Sequence, residues 1–251
     1  MPLWLTAGLW GFLSGSALIL GSLIGYFFNL RQGAIATVMA FGSGVLISAL
    51  SFDLMDEAYK QGGFVAIAIG FLSGAVIYTF AARLLSAKGA KHRKRSNGMQ
   101  ISEDDQQGSG TAIALGALLD GIPESIVIGL SLLSGKGVSL VAVIAIFISN
   151  VPEGLSSTSG MKRSGRSKTY IFSVWTGIAV LSGIASLLGY TVFGGFTPEV
   201  ISATTAVAAG AILSMLIDTM IPEAHSGDHD WAGLVSVAGF LSAFIISKLG
   251  A

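Results

Sequence analysis

Three apolar stretches of this sequence place a glutamate directly after a proline: Asp120-Gly-Ile-Pro123-Glu124-Ser125, Ser149-Asn150-Val-Pro152-Glu153-Gly154 and Asp218-Thr-Met-Ile-Pro222-Glu223-Ala224. A proline inside a helix has no amide hydrogen and displaces the carbonyl four residues earlier. The carbonyls of Leu119, Ile148 and Asp218 are thereby released, and in lipid each must be satisfied by protein, water or an ion. A carboxylate one residue further on adds oxygen ligands at the same level. Asp120 and Glu124 are spaced i,i+4, as are Ser149 and Glu153, while Asn150 and Glu153 are i,i+3, so each set shares a helix face. Two adjacent helices would present Asp120, Glu124, Ser149, Asn150 and Glu153 to one cavity, a donor set suited to a cation.

Of the fourteen acidic residues, eight lie within or at the ends of apolar stretches: Asp53, Asp56, Glu57, Asp120, Glu124, Glu153, Asp218 and Glu223. No lysine or arginine lies in the interior of a stretch to pair with them. A charged side chain at the bilayer centre costs about 2.5–3.5 kcal/mol on insertion scales, so eight bare anions are prohibitive. The acids are therefore protonated, line a wet path, or are neutralised by a cation from solution. Each answer points to cation or proton movement. Asp56 and Glu57 also have a plainer reading, as caps on the outer end of their helix.

The elements that must position these residues are membrane helices. The chain has 251 residues, 52% hydrophobic and 11% charged, with a mean hydropathy of +0.75. Soluble domains carry about 25% charged residues, so a soluble enzyme and a disordered chain are both excluded. The absence of cysteine removes disulfides, thiolate metal sites and cysteine nucleophiles. Eight stretches reach the ~20 apolar residues of a membrane helix, roughly 4–28, 34–56, 62–85, 110–134, 138–160, 170–194, 199–224 and 231–249. The expected architecture is an all-α membrane protein of eight transmembrane helices, a single transporter domain over 1–251. Residues 87–109 stand apart, running from Lys91-His-Arg-Lys-Arg95 into Glu103-Asp-Asp105, and read as a solvated, mobile linker. With the N-terminus outside, eleven of the fourteen basic residues fall on the inner side and only Lys60, Lys136 and Lys248 outside. That bias expects a multi-pass protein of the cell membrane with both termini outside. Residues 44–58 align with 210–224 at an offset of 166, and the two stretches enter from opposite sides, which is an inverted repeat.

These residues resemble the ZIP (zinc- and iron-regulated-transporter-like) family of divalent-metal transporters over nearly the whole chain. The resemblance implies eight helices, outside termini and a variable cytoplasmic loop after the third, where 87–109 lies. The family places His-Asn-x-Pro-Glu-Gly on helix four and His-x-x-Pro-Glu-Gly on helix five. Carried over by position, the helix-four histidine falls on Asp120, its asparagine on Gly121 and its glutamate on Glu124; on helix five the positions are Ser149, Asn150 and Glu153. Helix two commonly ends His-Leu-x-Pro-Glu-Ala and helix seven His-Glu-Leu-x-Pro-Glu-Ala, which puts Asp53, Asp218 and Thr219 at those positions. Every family histidine is thus replaced, mostly by Asp. Family membership implies zinc as the transported ion. Oxygen-only donors suit harder ions such as manganese, magnesium or calcium, and carboxylates also bind zinc, so manganese, iron and cadmium stay beside zinc as candidates. The resemblance further implies that helices one, four, five and six move against a scaffold of two, three, seven and eight. Glu124 and Glu153 are then placed to bridge two ions, and Asp53 and Asp218 to serve at the ends of the path.

The expected partners are divalent metal ions and the lipid bilayer, with no nucleic acid and no prosthetic group. The patterns Gly11-x-x-x-Gly15, Gly21-x-x-x-Gly25 and Gly70-x-x-x-Gly74 signal close helix packing and leave a homodimer open. The stretch Gly129 to Gly137 fails as a phosphate loop, and no His-Glu-x-x-His occurs, so neither ATP hydrolysis nor intramembrane metalloproteolysis has its motif. His225-Ser-Gly-Asp-His229-Asp230 reads as a solvated polar turn, with reception of departing metal as its sharper alternative. The second functional class is a proton-coupled carrier of a small organic solute, with the acids as proton relays.

Overall fold

The computed structural model describes residues 1–135, 137–226 and 230–249. Long apolar runs become helices, with Pro123 and Pro152 kept inside two of them. The order is α1 (Leu3–Phe27), α2 (Gln32–Ala49), α3 (Met55–Leu85), α4 (Ser109–Ser131), α5 (Leu140–Arg163), α6 (Lys168–Phe193), α7 (Pro198–Met215), α8 (Ile221–Ala224) and α9 (Ala232–Leu249). Ser139 and Ser167 cap α5 and α6, their hydroxyls accepting from the amides of Ala142 at 3.2 Å and Tyr170 at 3.1 Å. No strand occurs among the described residues.

Seven helical runs among the described residues are long and apolar enough to cross a membrane. Large apolar side chains lie exposed along them, Phe64 at 74% and Phe80 at 65%, which is a surface for lipid rather than water. The architecture is that of a multi-pass membrane protein. The sequence expected eight spans, and the difference lies in one run, Gln32–Ala90, which stays helical for 59 residues. At 1.5 Å per residue such a run would be about 88 Å long, close to three times the hydrocarbon thickness. Gly63 interrupts it, with φ 69° and ψ −178°, so two helices meet there.

Two five-residue π-helical turns, Leu50–Leu54 and Leu216–Met220, join α2 to α3 and α7 to α8. They sit at the same offset of 166 that aligns the two stretches in sequence, and Asp53 and Asp218 lie within them. Pro222 explains the second turn, since it cannot donate to the Asp218 carbonyl and the ladder must skip a residue.

In packing, α1 lies against both α5 and α6, and α6 against α4; α2 packs on α9 and α3 on α7, and α2 also meets α5 while α4 meets α7. Glycine permits the closest approaches. A Cβ on Gly21 would overlap the Val151 carbonyl and one on Gly154 the Leu18 carbonyl, locking α1 to α5. Gly189 and Gly129 do the same between α6 and α4, against the carbonyls of Ile126 and Ser186.

The segment after α3 corrects the expectation of a solvated linker. Residues 93–96 and 100 fold back under the bundle, and Arg93, Lys94, Ser96 and Gln100 are each at most 5% exposed. Gln100 Nε2 donates to the carbonyls of Arg93, Arg95 and Ser157, while Ser156 and Ser157 hydroxyls donate to the carbonyls of Lys94 and Arg93. Glu103 then accepts from the amides of Gly108 and Gly110 at the start of α4 and pairs with Arg166. Those contacts hold the carboxyl down to about 2, the Arg166 bond contributing most and the Gly110 and Gly108 amides next. Charge alone suggested solvation; a carbonyl-binding glutamine and two serines on α5 supply the backbone partners that keep this segment buried.

Candidate functional site

The centre of the bundle lies where α4 and α5 bring their proline-bearing turns together. Asp120 and Glu124 on α4 are each 1% exposed; Ser149, Asn150 and Glu153 on α5 are between 0% and 5% exposed. Helical spacing puts each set on one face, as the i,i+3 and i,i+4 relations required.

Asp120 and Glu153 have partners that come from outside α4 and α5. Arg93 makes a fork onto Asp120, Nε to Oδ2 at 2.9 Å and Nη2 to Oδ1 at 2.7 Å, and Tyr78 of α3 donates its hydroxyl to Oδ1 at 2.6 Å. Both oxygens of Asp120 are thereby engaged. Lys94 Nζ lies 3.2 Å from Asp120 Oδ2 and 2.6 Å from Glu153 Oε2, so one ammonium joins an acid of α4 to an acid of α5. The Glu153 contact has hydrogen-bond length and the Asp120 contact is looser, whereas Arg93 makes a two-pronged fork. Oε1 of Glu124 and Oε1 of Glu153 are buried without a hydrogen-bond partner. Glu124 lies within electrostatic reach of Glu153, Lys94 and Asp120.

A fourth buried acid is tied to the same segment. Glu223 of α8 is fully buried; its Oε1 accepts from Gln32 Nε2 at 3.0 Å, the Ser96 amide at 3.1 Å, the Ser96 hydroxyl and the Ser156 hydroxyl at 3.1 Å. Arg95 Nη1 is 3.5 Å from its Oε2 and also donates to the Pro222 carbonyl. Successive residues of one segment, Arg93, Lys94 and Arg95, thus serve Asp120, Glu153 and Glu223.

Over 228 residues the chain is 25% identical to an Arabidopsis thaliana protein named "Putative zinc transporter". The match covers 87% of this chain and 34% of that protein, so the chain spans about a third of the length of the relative it matches. No family model matches the sequence.

The predicted site residues fall into three cases. Asp120 and Glu153 are brought together through Lys94, with Glu124 beside them. Ser149 and Asn150 are buried nearby but spend their donors elsewhere, the Ser149 hydroxyl on the Ile146 carbonyl at 3.0 Å and the Asn150 amide on the Ser14 carbonyl of α1 at 3.1 Å. Asp53 accepts from Ser247 of α9 at 2.9 Å, and Asp218 is exposed on its π turn; neither contacts the central group. Among the described residues no three His, Asp or Glu side chains form a ready-made metal cage. His225 Nδ1 donates to the Ile221 carbonyl at 3.1 Å, and Asp228, His229 and Lys136 lie outside the described residues.

The expectation that these acids stay unpaired is overturned for Asp120, Glu153 and Glu223, which meet Arg93, Lys94 and Arg95 of the segment after α3. Tyr78, Arg93, Lys94 and Arg95 were not read as site residues. The signal lay in charge balance: segment 87–109 carries five Lys and Arg against three acids, beside spans with an unmatched excess of carboxylate.

Proposed function

We propose that this protein is a secondary transporter of divalent metal ions, zinc foremost and manganese or iron beside it, built on a ZIP-like plan. The observation that carries the reading is the buried group Asp120, Glu124 and Glu153: carboxylates gathered deep in a membrane bundle around a positive charge, with one oxygen of each glutamate unpartnered. A dehydrated carboxylate cluster is retained where a cation repays its desolvation. Glu124 and Glu153 are the leading ligands. Asp120 joins them through Oδ2, the oxygen that also faces Lys94, Ser149 and Asn150 add neutral oxygens, and Asp53 and Asp218 belong to the path rather than its centre.

Three further features support the reading. The relative's name is that of a zinc transporter. The mutual packing of α1 with α5 and α6, and of α6 with α4, fits the moving part that the ZIP resemblance implies. Counting the helices on either side of Gly63 as separate crossings makes eight spans, and the paired π turns and paired glycine contacts fit an inverted repeat. In that arrangement both termini lie outside the cell membrane, and segment 87–109 lies in the cytoplasm, toward which the ions move. Such a carrier performs no covalent chemistry.

The test is uptake of zinc-65 into liposomes by the Glu124→Ala, Glu153→Ala double variant, with insertion verified. Uptake falls to background if the reading is right; uptake at the wild-type rate refutes it. Thermal stabilisation of the purified protein by zinc or manganese separates metal transport from carriage of an organic solute, which predicts none.

A further inference from the structure

We propose that Lys94 is a built-in cation that holds the ion position between Asp120 and Glu153, and that an arriving divalent ion takes its place while Arg93 stays on Asp120. This rests on the metal-transport reading above. The two basic residues are held in different ways. Arg93 is fixed by a two-pronged fork on Asp120, by Nη2 donating to the Tyr78 hydroxyl at 2.7 Å, and by packing of its Cδ where a Cβ on Gly116 would otherwise sit. Lys94 has fewer anchors, one short contact to Glu153 Oε2 at 2.6 Å and a longer one to Asp120 Oδ2 at 3.2 Å, with no fork. An ammonium is a point charge on a flexible stem, whereas a guanidinium is a rigid directional fork. Of the pair, Lys94 is the exchangeable one.

Its backbone need not move for the exchange. The Arg93 carbonyl accepts from Gln100 Nε2 at 2.9 Å and Ser157 Oγ at 2.6 Å, and the Lys94 carbonyl accepts from Ser156 Oγ at 2.7 Å. Departure therefore needs only rotation of the Lys94 stem. The vacated place borders the unpartnered Oε1 of Glu153, with the unpartnered Oε1 of Glu124 in electrostatic reach. Formal charge selects the same event. With Asp120, Glu124 and Glu153 ionised against Arg93 and Lys94, the group carries −1. A divalent ion added without loss makes it +1, whereas a divalent ion exchanged for Lys94 makes it neutral. In a low-dielectric interior the neutral outcome is favoured.

Lys94 is 4% exposed, whereas Lys88 and Lys91 are exposed on the same segment and serve as internal references. In purified wild-type protein, acylation of Lys94 by a water-soluble amine reagent, read by mass spectrometry, is expected to rise about tenfold relative to Lys88 and Lys91 on saturation with zinc or manganese. If Lys94 fills the place about nine-tenths of the time, Lys94→Gln lowers the calorimetric Kd for the same ions about tenfold. Ion binding to wild-type protein with Lys94 still protected overturns the exchange and leaves metal transport standing. Unchanged or weaker binding by a folded Lys94→Gln protein overturns it equally. Absence of binding to both proteins refutes the metal reading, and the exchange with it. The acylation measurement needs no variant, so a misfolded Lys94→Gln does not spare the proposal.

Discussion

Replacing Asp120 by alanine removes the anion against which the segment after α3 is docked. In the variant the Arg93 guanidinium, 3% exposed, keeps only the Tyr78 hydroxyl and the Ala90 carbonyl, at 2.7 and 3.4 Å. Removing one partner of a buried ion pair leaves an uncompensated charge and costs about 3–5 kcal/mol. For a chain of this size each kcal/mol moves the melting temperature by roughly 2–4 °C, so the expected fall is about 6–20 °C. Arg93→Ala is milder, because Asp120 then keeps Tyr78 at 2.6 Å and Lys94 at 3.2 Å. The double variant deletes both charges and should recover about 0.5–3 kcal/mol relative to the sum of the single losses. Melting of the four proteins in one detergent, followed by intrinsic fluorescence, measures all of this. A Asp120→Ala protein that melts within about 2 °C of wild type, or a strictly additive double variant, would refute the buried-pair argument.

Other outcomes follow from the same contacts. Glu103 has its pKa lowered from 4.5 to about 2, so its stabilising contribution is present above pH 4.5 and fades as pH falls toward 2; Glu103→Gln should flatten melting temperature against pH across that window. Glu223→Ala releases the Ser96 and Arg95 contacts, and in this cysteine-free chain a Ser96→Cys reporter should then be labelled by maleimide several-fold faster than with Glu223 intact. Equal labelling rates would show that Glu223 does not hold the segment. Gly154→Ala sets a methyl group against the Leu18 carbonyl and should cost about 1–3 kcal/mol, read as a lower melting temperature; Gly177→Ala, whose Cβ would meet nothing, should leave it unchanged.

The helices were legible because hydropathy and proline-glutamate spacing are local signals. Asp120, Glu124 and Glu153 could be placed on shared faces from i,i+4 arithmetic alone. The docking of Arg93 and Lys94 was not legible, because a run of five residues with four positive charges has the same composition whether it meets water, lipid headgroups or buried acids. Only the long-range bonds of Gln100, Ser156 and Ser157 distinguish these, and their sequence separations of up to 64 residues carry no periodic mark. Tyr78 likewise looks like any aromatic on a lipid helix until its hydroxyl meets Asp120. The opposite failure befell Asn150, whose amide faces α1 although its spacing from Glu153 suits a shared ligand role.

The π turn Leu50–Leu54 fixes the azimuth of everything beyond it. Each residue advances a helix by about 100°, so deleting one from this turn would shorten the run by only about 1.5 Å while swinging the next two turns more than a quarter-circle. Ala58, which is buried against Ile67 and Ala206 and whose carbonyl accepts from Ser202 at 2.6 Å, would rotate off that surface. The bulkier, exposed Tyr59 would be carried a quarter-turn around the axis with it. A single-codon deletion there is thus a rotational lesion, with consequences for the α3–α7 seam far larger than the lost length.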